Sequence, residues 1–498
     1  MTRIRRSSIE MDQEEFRKIG YQLIDDISNF TNSIRQRPVT PNESPGELQN
    51  ILGNSSLPEN GSPANELIAK ATDLLFNHSL LNGHPKFLGY ITSSAAPMGA
   101  IADLLAASVN PNVGAHILSP MATEIEKQTV KWLAEFIGVS TNYGGILVSG
   151  GNMANFTAFL AARTAKAPDS FKEDGILSSS KRLTVYCSKT THAWIEKAVI
   201  LCGLGTKSIR WIKTTPSNQM DDTILEATIE EDIKNGCKPI IVIGTAGDVS
   251  TGVVDNLKNL SVISKKYDLW FHVDGAYGIP AAVNPEYKSL FDGIKDADSI
   301  ALDPHKWLYS PLEAGCTLVK NPQHLLNTYS SHPEYYNFNK NQDEISQNYY
   351  EYGLQNSRGF RALKVWLTLQ QVGRSGYVKL IGEDIELSKL LFQLAKKHQE
   401  LDAVTQNLSI TTFRYIPANC KKDLEKKESY LNKLNEEIVN KLQIGGEVFL
   451  SNAIVNDKYC LRACIVNFRT SINDIKEIIE IVVRVGRKVH LELKDKKD

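Results

Sequence analysis

The chain has 498 residues, enough for two or three domains sharing a large core. Its formal net charge of −1 argues against nucleic acid or an anionic membrane as a general partner. The 7 cysteines are scattered and, apart from Cys460 and Cys464, lack metal-type pairing; this favours reduced thiols in a cytoplasmic protein and gives no reason to expect a metal.

Arg3, Arg5 and Arg6 are followed by SSIEMDQEEF rather than an apolar core, so no secretory signal is expected. No window reaches the apolar length needed to span a bilayer. Phe16, Ile19, Leu23, Ile24, Ile27, Phe30 and Ile34 recur at steps of three and four and predict a helix over 10–37. A stretch rich in Pro, Asn, Ser and Gly then runs from Pro38 to Pro63 around a shorter helical piece. HPKFLGYITSSAAP, 84–97, reads as a turn with an aromatic plug, and SPMATEIEKQTVKWLAEFIG, 119–138, as an amphipathic helix opened by Ser119-Pro120.

GILVSGGNMANFTAFLAART reads as strand, glycine turn and helix. Backbone amides freed at that helix start, with Gly150 and Gly151 permitting close approach, make an anion site suited to a phosphate. LTVYCS, 183–188, is a strand, and THAWIEKA opens the helix after it with His192 at the start. PIIVIGTAGDVSTG, 239–252, is a continuous apolar strand ending in a polar loop, as parallel sheets buried on both faces require. Asp248 in that loop needs a partner or an exposed setting. A helix over 256–267 leads into WFHVDGAYG, a strand that ends in Asp274.

In DSIALDPHKWL, 298–308, the β-prone SIAL is broken by Asp303-Pro304, and Lys306 follows between His305 and Trp307. GCTLVKN, 315–321, is one more strand. YSSHPEYYNFNKNQDEISQNYYEYG, after it, is polar, tyrosine-rich and without steady periodicity, the composition of a lid loop. Past residue 372 come a helix near 376–399, LSITTFRYIP, a helix near 427–442, EVFLSNAIV, YCLRACIVNF and a last amphipathic helix from Ile472.

This strand and helix alternation predicts a mostly parallel sheet with helices on both faces, and such sheets gather ligand chemistry at the carboxyl ends of their strands. Asp274 and Lys306 stand at two such ends and suit pyridoxal phosphate. The aldehyde of that cofactor needs an amine for a Schiff base, and its ring nitrogen needs a carboxylate to stay protonated.

HVDGAYG followed by DPHKWL resembles the group II pyridoxal-phosphate-dependent amino acid decarboxylases, the family of aromatic-L-amino-acid, histidine, tyrosine and glutamate decarboxylases. The likeness runs in order from His84-Pro85 to RALKVW near residue 366 and fades at both termini. It implies an α/β chain of the aspartate-aminotransferase-like fold type I. Residues 1–96 would form a helical segment on the partner subunit, although packing on its own chain fits the spacing equally. Residues 97–371 would be the large domain with a mostly parallel seven-stranded sheet, and 372–498 a small α+β domain. The assembly implied is a homodimer with active sites at the subunit interface.

The resemblance also implies roles. Lys306 would hold the cofactor and Asp274 its ring nitrogen, with His192 stacked on the ring and Thr245 and Ala276 in contact with it. Gly151, Asn152 and His305 are the phosphate-side candidates, with Asn152 departing from the Ser-Glu common after the glycines. Tyr335 aligns with the proton donor of the mobile loop, Tyr336 lying next to it. A phenylalanine at that position marks aldehyde-forming relatives, so tyrosine argues for simple decarboxylation. Tyr90, Thr92 and His116 fall on the substrate side, and Arg358 would bind the substrate carboxylate or support the phosphate. The expected reaction is loss of carbon dioxide from an L-amino acid, preferably aromatic, to give the amine. Small residues in VGAHILSP also permit an acidic or other polar substrate. Decarboxylation with oxidative deamination to an aldehyde, carbon–sulfur lysis, transamination and a catalytically silent relative are the alternatives.

Overall fold

The computed structural model describes residues 9–331, 347–420 and 427–495. Three helices open it, α1 (Gln13–Ser33), α2 (Pro45–Leu52) and α3 (Ala64–Asn77). Asp12 caps α1 by accepting from the Glu15 amide, and Ser44 with Glu47 forms a capping box on α2. Phe30 stacks on Phe76 at 4.3 Å and joins α1 to α3. None of the three helices contains a buried residue. Phe16, Tyr21, Leu67 and Leu75 are left exposed.

Next come α4 (Pro97–Val109), α5 (Pro120–Phe136), β1 (Gly144–Val148), α6 (Gly151–Lys166), α7 (Phe171–Asp174), β2 (Leu183–Ser188), α8 (Trp194–Leu201) and β3 (Ile209–Ile212). They are followed by α9 (Asp222–Lys234), β4 (Lys238–Thr245), α10 (Leu257–Lys266), β5 (Trp270–Asp274), β6 (Ser299–Leu302), β7 (Gly315–Val319) and α11 (Gln323–Tyr329). The 7 strands form one sheet in the order β1-β7-β6-β5-β4-β2-β3. β7 runs antiparallel to both its neighbours, and every other pairing is parallel. The mostly parallel seven-stranded sheet implied by the resemblance is therefore present.

Alternate residues of the inner strands feed two cores, as the two-residue period of a strand requires. Val185, Cys187, Ile241 and Ile243 pack toward α6 and α8. Tyr186, Val242, Phe271, Val273 and Ile300 pack toward α5, α9 and α10 on the other face. With both faces covered, the strands read as unbroken apolar runs.

Helix α12 (Arg361–Lys397) leaves this layer and crosses to the second one. It is interrupted at Gly373, where φ is 65° and ψ 167°, a backbone state that a glycine adopts without steric cost. Beyond it β8 (Leu401–Asn407), β9 (Ile410–Tyr415), α13 (Glu428–Ile444), β10 (Ser451–Val455), β11 (Lys458–Cys464) and α14 (Ile472–Asp495) build a 4-stranded antiparallel sheet, order β10-β11-β9-β8, under two helices. Phe413, Tyr415, Leu461 and Ala463 meet Leu431, Ile438, Ile475 and Val482 in its core. α3, α4, α7, β3, α9, α11 and β8 were not anticipated from sequence. β8 is an edge strand with only its first residue buried, so it prints no strong apolar alternation.

Candidate active site

The carboxyl ends of the parallel strands converge on one cavity of about 1190 Å³. Thr245 closes β4 and lies in register with Asp274, which closes β5 and lies in register with Ala301 of β6. β6 then runs out into Asp303 and Lys306, β1 into Gly150 and Gly151, and β2 into the segment bearing His192. Strand register therefore brings together residues far apart in the chain. Lys306, Asp274, His192, Thr245, Ala276, His305, Gly151, Asn152, Tyr90 and Thr92 all line this cavity.

Lys306 is held by its own turn. Its Nζ lies 3.1 Å from Asp303 Oδ2, and its amide donates to the Asp303 carbonyl. His305 accepts from the Ala314 amide at Nδ1, 3.1 Å, which leaves the proton on Nε2, 3.6 Å from Asp303 Oδ2. Burial pushes the His305 imidazole below its ordinary pKa, while Asp303 opposes the shift. The next residues fasten the turn from below. Trp307 Nε1 donates to Asp384 Oδ2 of α12 at 2.8 Å, and the Tyr309 hydroxyl donates to the same oxygen. Burial raises Asp384 to about 7.

Asp274 receives the Ala276 amide at Oδ1, 3.2 Å, and the indole N–H of Trp194 at Oδ2, 2.8 Å. His192, just ahead of α8, accepts the Trp194 amide at Nδ1, 3.3 Å. Desolvation lowers its pKa, Asp274 pulling the other way and Lys306 adding to the lowering. Thr245 is fixed by Asp255, whose Oδ2 takes its amide at 2.8 Å. Burial lifts Asp255 to about 6. Asp248 is buried after all, and its own loop satisfies it through the amides of Ser250, Thr251 and Val253 and the Thr251 hydroxyl.

The residues present fit pyridoxal phosphate. No side chain caps α6, so its first-turn amides, which lack acceptors within the helix, are left for an anion. Both glycines are demanded by the lysine turn packed against them. A Cβ at Gly151 would stand 2.6 Å from Asp303 Oδ2 and 3.0 Å from Ala276 Cβ, and one at Gly150 3.0 Å from His305 Cε1. The site thus supplies an amine, a carboxylate and an anion-binding helix start in one cavity.

Tyr90 reaches the cavity from a turn in the left-handed region, φ 51°. The second layer holds that turn, with Arg462 Nη2 donating to the Tyr90 carbonyl at 3.0 Å and the Tyr90 amide to Ser451 Oγ at 3.3 Å. Ser93 ties this loop to the lysine turn by donating to the His305 carbonyl, 3.0 Å.

Two expected substrate contacts do not line the cavity. Arg358 is buried against Glu126, Nη2 to Oε1 2.5 Å, and donates to the carbonyls of Leu147 and Val113 at 2.6 and 2.8 Å, with its guanidinium over the Tyr349 ring. A fork already matched to a buried carboxylate and two carbonyls is structural, not a substrate clamp. His116 turns away from the cavity, its amide on Asn348 Oδ1 and its Nε2 3.7 Å from Glu124. Tyr335 and Tyr336 lie outside the described residues. Asp303 and Trp194 went unassigned in the sequence. The first stands three residues before the lysine on the same turn, a readable spacing; the second had only its nearness to His192.

The family model described as "Pyridoxal-dependent decarboxylase conserved domain" matches residues 45–416. A second, "PDXDC1-like second central domain", matches 391–494. The chain is 33% identical over 485 residues to an aromatic-L-amino-acid decarboxylase of Bacillus atrophaeus, covering 97% of this chain and 98% of that one. It is 29% identical to a phenylacetaldehyde synthase of a Rosa hybrid cultivar, over 94% and 93% of the two chains. Its fold matches the crystal structure of Oryza sativa TDC with PLP and tryptamine at a TM-score of 0.90, with 24% identity and 97% and 99% of the two chains covered. The chain belongs to the pyridoxal-dependent decarboxylase family, carboxy-lyases acting on amino acids with pyridoxal 5′-phosphate as cofactor.

Proposed function

We propose that the chain decarboxylates an aromatic L-amino acid to the corresponding amine and carbon dioxide, working as a cytoplasmic homodimer. The observation that carries this reading is the convergence of Lys306, Asp274 and the uncapped start of α6 on one cavity. Bound pyridoxal phosphate supplies the electron sink for the pair left when the carboxylate departs. The chain's own groups divide the remaining work. Lys306, paired with Asp303, offers the amine that anchors the cofactor and later releases the product. Asp274 accepts the ring N–H. Gly151, Asn152 and His305 serve the phosphate side, while His192, Ala276 and Thr245 contact the ring. Tyr90 and Thr92 face the substrate, and Tyr335 returns the proton.

The aromatic preference is supported by the name of the Bacillus atrophaeus relative and by the apolar Ile91, Phe156, Leu160 and Val249 in the wall. Arg163, the one arginine lining the cavity among the described residues, is engaged by the Cys202 carbonyl and the Phe171 ring, so of the lining cations Lys197 is the one that an acidic substrate, the second reading, would use. The dimer is supported by α1–α3, which contain no fully buried residue, and by exposed Ile101, Leu104, Leu105 and Val109 on α4. The break at Gly373 supports a boundary near 372 between a cofactor-binding domain, 97–371, and a carboxyl-terminal one, 372–498, with 1–96 on the partner. A cytoplasmic setting fits the free cysteines, all buried except the half-buried Cys237. Among the described residues no helix is long and apolar enough to cross a membrane.

The test is a screen of the protein amino acids with added cofactor, reading carbon dioxide, amine, aldehyde and hydrogen peroxide separately. Amine and carbon dioxide from tryptophan, tyrosine or phenylalanine, without peroxide, are expected. Reaction with glutamate or aspartate alone would overturn the aromatic reading. Borohydride treatment of the loaded enzyme should leave its label on the Lys306 peptide, and a label elsewhere would remove the basis of the assignment.

A further inference from the structure

Trp194 stands at the first position of α8 and is buried to 2% exposure. An indole N–H is a donor only, and a buried one needs an acceptor. Its acceptor here is a carboxylate oxygen of Asp274, on a neighbouring element 80 residues further along the chain. The ring has no freedom to look elsewhere. It meets His272 edge-on at 5.9 Å and 85°, and Phe159 at 6.2 Å and 75°. His272 is itself fixed, Nδ1 on Ser299 Oγ at 2.9 Å and Nε2 on Asn155 Oδ1 at 2.7 Å.

We infer that Trp194 is a positioning residue for the cofactor, holding the Asp274 carboxylate in the rotamer that meets the ring nitrogen. The inference rests on the reading of Asp274 as the partner of that nitrogen. Asp274 ends its strand, so beyond the Ala276 amide the backbone does little to fix its χ angles. The indole N–H fixes Oδ2 from one side while the carboxylate still lines the cavity. The same residue also donates its amide to His192 Nδ1 and so leaves the proton of the neutral imidazole on Nε2. One residue therefore orients two groups expected to touch the cofactor, the carboxylate through its side chain and the imidazole through its backbone. Only the first contact is lost when the side chain is changed, and this makes the idea testable.

The experiment is a double-mutant cycle read as equilibrium cofactor affinity, followed by absorbance titration of the cofactor-free protein. Trp194→Phe keeps a ring in place and deletes the donor. Trp194→β-(3-benzothienyl)alanine, introduced as a non-natural residue, deletes the donor with almost no change of shape, and serves if the phenylalanine variant folds poorly. Thermal unfolding of the cofactor-free forms monitors packing. Loss of the donor is expected to weaken cofactor binding about tenfold in the otherwise unaltered chain and less than about twofold when Asp274→Asn is already present. Equal losses in both backgrounds, or no loss in the first, would overturn the role assigned to Trp194 while leaving Asp274 in place. If Asp274→Asn alone changes neither affinity nor the spectrum of the bound cofactor, the reading of Asp274 falls, and the role of Trp194 with it.

Discussion

Asp303 Oδ2 lies 3.1 Å from Lys306 Nζ, and the other oxygen of the same buried carboxylate has no hydrogen-bond partner among the described residues. The aspartate is 1% exposed and the lysine 22%. Removing one member of a fully buried pair costs about 3–5 kcal/mol, and the opening around Lys306 lessens that here. Asp303→Asn removes the charge that holds the Lys306 amine and should lower kcat/KM by at least about tenfold, with a loss in thermal stability smaller than that of a fully buried pair. Steady-state kinetics beside a melting curve check it; an unchanged kcat/KM would show that the pair is incidental.

Gly151 leaves no room for a side chain. Gly151→Ala would drive a methyl against Asp303 Oδ2 and Ala276 and push the α6 start away from the lysine turn. Cofactor affinity should fall about tenfold or more. Gly46, with nothing within 4 Å of its added Cβ, supplies the control substitution, which should leave affinity unaltered.

Arg358 should matter for stability and not for substrate recognition. Arg358→Ala strands Glu126, a carboxylate with 0% side-chain exposure, and should cost about 3–5 kcal/mol in urea unfolding. Activity normalised to the folded fraction should retain its KM. A raised KM at full folding would return this arginine to the substrate.

Asp384 gives a pH dependence with a definite sign. Its native pKa is raised to about 7 by burial, well above the about 3.9 of an exposed aspartate. The folded state then keeps a proton that the unfolded chain has released. The associated stability is complete below pH about 4 and is lost as pH rises through about 7. Asp384→Asn, which still accepts from Trp307 and Tyr309, should flatten the fall in urea midpoint across this range, by up to about 1.4 kcal/mol per pH unit.

The cofactor-facing part of the site was legible because strand ends print their chemistry locally. The apolar runs before Asp274 and Thr245, the broken strand before Lys306 and the glycine pair before α6 each mark a carboxyl edge on their own. Arg358 misled for the opposite reason. An arginine looks alike in sequence whether it faces a ligand or a buried glutamate 232 positions away, and only the packing of α5 distinguishes the two. Asp248 likewise gave no sign that its own loop would satisfy it. β8 was missed because its burial is slight, so the apolar alternation that reveals a strand was never written into it.

The reversal of β7 bears on how the lysine is presented. A parallel return would have required a long crossover, usually a helix laid across the sheet. Because β7 starts at the edge where β6 stops, residues 303–314 make the journey as a short clasp, fastened where the His305 amide donates to the Ala314 carbonyl and the Ala314 amide donates to His305 Nδ1. The reactive amine therefore rides on a segment pinned at both feet, and its side chain opens into the cavity where the strand ends meet.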